Sequence, residues 1–198
     1  MPAVKYLSSV LSLTSQTLNL QSASYQKSGG FKGQKGAEAT MQEGLIIKII
    51  NYKGHVSELY KVISAWNNEY KGNDFNIIVN IPIFASSLND IIVDDDSSLL
   101  SLINNEDEIV GIIGMTVFDN PLNGDKVANE HFWYVLEEYR GRGSIMLLRA
   151  SQKWAKENNC KHIMLNASNL ASSLHDKICN IYEKIGMKKI ETSYIMEV

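Results

Sequence analysis

The richest chemistry in the 198-residue chain is the run Glu137-Glu138-Tyr139-Arg140-Gly141-Arg142-Gly143, which passes directly into a helix-like pattern beginning at Ser144 and Ile145. Glycines at 141 and 143 let the chain turn sharply and keep side chains out of the way of a ligand. At a helix start the first backbone N–H groups lack intrahelical partners, and the aligned peptide dipoles favour an anion. Arg140 and Arg142 add charge-assisted donors. The chemistry expected of such a turn is capture of a pyrophosphate. An ordinary strand-to-helix loop has the same composition, so the surrounding elements must decide.

Those elements follow from periodicity. A β-branched run at 45–52 predicts a strand, and residues 55–70 predict a helix with Val56, Leu59, Tyr60, Ile63 and Trp66 on one face. A weaker helical piece over 83–93 ends in Asp94, Asp95 and Asp96, which as a bare run fit a solvated turn or cap better than a cation site. Hairpin strands are expected at 98–104 and 108–118, then an aromatic-rich strand at 129–138. The turn follows, then a helix over 144–159, a short strand over 161–166 and a helix over 174–186 closed by Gly186. A last strand is expected over 188–198.

Composition narrows the partners. With 44% hydrophobic and 21% charged residues the chain is of ordinary globular type, and a net charge of −3 lacks the basic footprint of a nucleic-acid binder. No apolar run approaches the roughly 18–20 residues of a membrane helix, and the amino terminus is too interrupted by serine for a secretory signal. Cys160 and Cys179 have neither zinc-site spacing nor a visible activating partner, so no metal and no thiol mechanism is expected, and a reducing cytoplasmic setting fits. His55 and His162 read as structural or exposed.

In element order and motif, residues 44–198 resemble the GCN5-related N-acetyltransferase (GNAT) superfamily. There the loop reads Arg or Gln, two variable residues, Gly, one variable residue, then Gly or Ala; here it is Arg140, Gly141, Arg142, Gly143, Ser144, Ile145. The resemblance implies an α/β (α+β) fold, with a mixed, mostly antiparallel sheet flanked by helices. It also implies acetyl-CoA as cofactor, its pyrophosphate on that loop and its pantetheine arm along Trp133, Tyr134 and Val135. The family's closing helix corresponds to His175, Ile178, Tyr182, Gly186 and Met187, which adds His175 to the cofactor contacts. The implied reaction moves an acetyl group to a primary amine of a small molecule or protein. Tyr182 is then the acid that protonates the departing thiolate, and Glu130, with His131 beside it, the base. Strand neighbours point to opposite faces, so only one of those two can face the substrate. Asn166 is placed to contact substrate or to cap a turn. Ile145 and Ile178 stand where the family has small residues, and Ile145 is expected to crowd the pyrophosphate.

Residues 1–43 differ from the rest. They are rich in Ser, Gln and Gly, and residues 1–40 carry Lys5, Lys27, Lys32 and Lys35 against Glu38 alone. Val4, Leu7, Leu11 and Leu18 suggest a short amphipathic helix that needs a surface to rest on. This arm supports an alternative reading, a virion-type assembly component that docks onto a protein partner through residues 1–40.

Overall fold

The computed structural model describes residues 48–69, 79–168 and 175–196. The arm and its expected helix lie outside the described residues. Strand β1 (Lys48–Asn51) leads through a short 3-10 turn (Val56–Leu59) into α1 (Tyr60–Glu69); α2 (Ile81–Val93) follows. Then come β2 (Ser97–Ile103), β3 (Ile109–Asp119), β4 (Lys126–Val135), α3 (Arg142–Glu157), β5 (His162–Met164) and α4 (His175–Lys184). The five strands lie in chain order, antiparallel except for β4 beside β5. The fold class is the one expected, a mixed sheet flanked by helices.

Local chemistry explains the elements. Asn80 Oδ1 accepts the Ile83 N–H at 3.2 Å and Pro82 sits in the first turn of α2, where its missing N–H costs nothing. Every residue of β2 is buried, as a strand covered on both faces must be. Leu59, Ile63 and Trp66 of the expected stripe are buried against the sheet, whereas Tyr60, expected on the same face, is exposed; Trp66 lies edge-on to Phe84 at 4.6 Å and is stacked on Tyr134 at 6.2 Å between ring centroids. Phe132 joins this cluster by lying over Gly114.

Two expectations are corrected. Residues 188–196 form no strand, and Ile190, Tyr194 and Met196 are exposed. A strand exists only by virtue of a paired edge, and β5 offers just three residues to pair with. Helix α3 begins at Arg142, earlier than expected, which places Gly143 and Ser144 inside its first turn. Among the described residues no helix is long and apolar enough to cross a membrane.

Candidate active site

Strands β4 and β5 run side by side only from Val127↔His162 to Asn129↔Met164, whereas β4 continues to Val135. Beyond Asn129 no described strand pairs with β4 on that side, because β5 ends at Met164. Leu136 N–H donates to Val110 O at 2.9 Å, so by strand alternation Tyr134 also turns its backbone towards β3, and Trp133 and Val135 turn theirs to the β5 side. All three side chains are buried.

At the end of β4 a 3-10 turn (Glu137–Tyr139) carries the chain to Gly141, which adopts φ 76°, a conformation that favours glycine. It caps α3: the Ile145 N–H donates to Gly141 O at 3.1 Å, the first bond of the helix. The N–H groups before it are those that an anion at a helix start would engage. Arg142 is exposed and makes no hydrogen bond or ion pair among the described residues. Arg140 does otherwise. Its Nε donates to Val135 O at 2.9 Å, its Nη2 ion-pairs with Glu69, and the guanidinium sits 5.5 Å from the Tyr134 ring centroid. Tyr134 Oη also donates to Glu69 at 2.6 Å, so Glu69 gathers both side chains.

Gly143 and Ser144 are buried, and their reason is packing. A Cβ on Gly143 would lie 2.6 Å from Leu102 Cδ2, so the glycine lets α3 sit close against β2. Gly143→Ala is expected to cost about 1–3 kcal/mol by forcing Leu102 aside, and urea unfolding reads that directly. Ile145 follows in the first turn of α3. It is partly buried and packs against the core, as Ile178 does when fully buried in α4.

The proposed acid and base are brought together from distant segments by one residue. Asn166 donates its N–H to Glu130 Oε2 at 3.0 Å and its side-chain amide to Glu130 O at 2.8 Å, and its own carbonyl accepts from Tyr182 Oη at 3.2 Å. Glu130 is wholly buried, which pushes its pKa up to about 8, only partly offset by the Asn166 N–H. It is therefore protonated at neutral pH. Since Oε2 accepts from Asn166, the acid proton belongs on Oε1, a buried atom with no hydrogen-bond partner among the described residues. Burial, and then Glu130 and Cys179 nearby, hold the Tyr182 phenol well above its ordinary pKa.

His131 points elsewhere. It is the extra residue of a bulge in β4, between Glu130 opposite Met115 and Phe132 opposite Gly114, and its Nε2 lies 2.8 Å from Thr116 Oγ1. His175 opens α4, 3.0 Å from Asp176 Oδ1 and 3.6 Å from Cys179 Sγ, so Cys179 does have a histidine neighbour that the sequence did not show. Asp94 caps α2 and accepts from Ser97 Oγ and the Asp96 N–H, the turn role expected of the aspartate run. Ser97, Thr116 and Glu69 were not foreseen as site residues. Their only sequence signal is a hydroxyl inside an apolar strand, or a carboxylate at the end of an apolar helix.

Among the described residues the site therefore comprises the buried acid of Glu130, the stretch of β4 beyond its pairing with β5, and the exposed Arg142 at the start of α3. Comparisons agree with that architecture. No curated protein matches the chain. Solved structures do: an acetyltransferase from Trypanosoma brucei (TM-score 0.55, 15% identity, covering 78% of this chain and 99% of that one) is one. Others are a transcriptional regulator from Bacillus halodurans (TM-score 0.61, 20% identity, 77% and 100%) and a ribosomal-protein-alanine N-acetyltransferase from Brucella melitensis (TM-score 0.55, 18% identity, 78% and 99%). At these identities the likeness is one of fold. The profile of the acetyltransferase (GNAT) family matches residues 60–187, from the first residue of α1 to the turn that follows α4. Because that match takes in most of the chain, including β4, β5 and the glycine turn, the chain belongs to the GNAT family of acetyltransferases.

Proposed function

We propose that residues 44–198 form an acetyl-CoA-dependent N-acetyltransferase acting on a primary amine. The observation that carries this reading is that β4 runs on to Val135 after its pairing with β5 ends at Asn129, and leads straight into the Gly141 turn and the start of α3. Acetyl-CoA, when bound, supplies an acetyl group activated as a thioester. In this reading Trp133 and Val135 offer backbone groups to the pantetheine arm, with Tyr134 behind them. The start of α3, shaped by Gly141, holds the pyrophosphate together with the exposed Arg142 guanidinium. Arg140 serves from behind, fixing Val135 and Glu69, and His175, at the start of α4, is the further cofactor contact that the family resemblance implies.

Tyr182 is the proton donor: it keeps its hydrogen at neutral pH and is bonded to Asn166 O, just beyond the end of β5. Protonated Glu130 holds Asn166 and the end of β5 in place.

Titration calorimetry with acetyl-CoA tests the reading. Binding in the micromolar range is expected, and no heat at high micromolar concentration would sink it. Arg142→Ala is expected to weaken that binding by about tenfold, the loss of one exposed charge-assisted contact, with no change in melting temperature.

A further inference from the structure

While Glu130 turns towards Asn166, His131 ends a chain of hydrogen bonds that crosses three strands. Ser97 Oγ donates to Asp94 Oδ2, Ser97 Oγ lies 2.7 Å from Thr116 Oγ1, and Thr116 Oγ1 lies 2.8 Å from His131 Nε2. Ser97 and Thr116 are register partners in β2 and β3, and the bulge in β4 carries His131 within reach of them. Proton accounting gives this chain a direction, because a hydroxyl has a single hydrogen to donate. Ser97 spends its hydrogen on the Asp94 carboxylate and must accept from Thr116. Thr116 has then spent its own and must accept from His131. Nε2 of His131 therefore bears the hydrogen, and the lone pair of the neutral ring lies on Nδ1.

We propose that His131 Nδ1 takes the proton from the acceptor's ammonium, with Asp94, Ser97 and Thr116 as positioning residues that hold the ring in the tautomer this requires. The inference rests on the N-acetyl transfer proposed above and names its base. His131 lies just past Asn129, where the pairing of β4 with β5 ends, and it is only half-buried, so an acceptor can reach it. Burial acts oppositely on the two neighbours: it keeps Glu130 protonated and so unable to accept at neutral pH, and it lowers the His131 pKa, leaving a neutral ring with a basic nitrogen. In the step, the ammonium gives one proton to Nδ1, and its freed lone pair forms the C–N bond as the thioester C–S bond breaks. The second nitrogen proton ends on the departing sulfur by way of the Tyr182 hydroxyl. His131 then releases its proton to solvent.

Long-range proton–nitrogen NMR spectra of the full-length 15N-labelled protein report which ring nitrogen of each of its four histidines carries hydrogen. His131→Gln assigns the signal. The expected spectrum shows His131 as the Nε2–H form at neutral pH, and Thr116→Val, which removes the hydroxyl but keeps the shape, is expected to release that preference. With acetyl-CoA and a mixture of spermidine, an alanine-terminated peptide and an aminoglycoside, His131→Gln is expected to lower the rate of thiol release about 10- to 100-fold at unchanged KM for acetyl-CoA. An Nδ1–H ring in the wild-type spectrum overturns the proposal, as does a folded His131→Gln protein that retains its rate. Absence of acetyl-CoA binding overturns the transferase reading instead, whatever the tautomer.

Discussion

Tyr182→Phe is expected to lower kcat by on the order of 10²–10³-fold and leave the KM for acetyl-CoA nearly unchanged, the signature of a group that acts in the transition state and not in binding. The phenol is held protonated by burial and by the nearby Glu130, so its hydrogen is available when negative charge develops on a leaving sulfur. Phenylalanine keeps the ring against the core and loses only the bond to Asn166 O, worth about 1 kcal/mol. A structural role and a catalytic one therefore separate cleanly. Steady-state kinetics alongside a thermal melt distinguish them: a small drop in melting temperature with intact kcat would reduce Tyr182 to a core residue.

The second large effect is on stability. Burial holds Glu130 in its acid form up to about pH 8, against an ordinary value of 4.5. Between those values the unfolded chain has released a proton that the folded chain keeps. Stability from this group is therefore complete below the ordinary value, declines as pH rises through the window and is gone above about 8. Glu130→Gln abolishes the decline. At about 1.4 kcal/mol per pKa unit, the difference between variant and wild type is expected to move in the variant's favour by about 3–5 kcal/mol from pH 5 to pH 9. A constant offset of about 1–3 kcal/mol for the amide left next to the unpartnered Oε1 position lies beneath it. Urea unfolding at several pH values measures the trend, and parallel curves for the two proteins would show that Glu130 is solvated.

Much of the frame was legible because it is local. The spacing of Leu59, Ile63 and Trp66 gave away α1, Gly186 sits at φ 90° behind α4 as a helix-closing glycine does, and the glycines at 141 and 143 marked the strand-to-helix turn. Even there the two glycines differ in purpose. Gly141 is required by its backbone angle, whereas Gly143 is required by Leu102, and only packing distinguishes these causes. The last strand was misjudged for a related reason: residues 188–196 alternate suitably, but alternation cannot supply a partner edge.

By itself the sequence determined the element order, the turn chemistry and the set of candidate groups, since those depend on side-chain type and on steps of two, three or four residues along one segment. Tertiary structure alone decided what those groups are. Asn166 reaches Glu130 from 36 positions away and Tyr182 from 16, and His131 meets Thr116 across 15. Protonation state and tautomer follow from burial and from who donates to whom, and neither exists until the strands are side by side. Adjacent residues of one strand, Glu130 and His131, consequently end as a neutral acid and a neutral base, a division set by which way a bulge turns each of them and by nothing in their order along the chain.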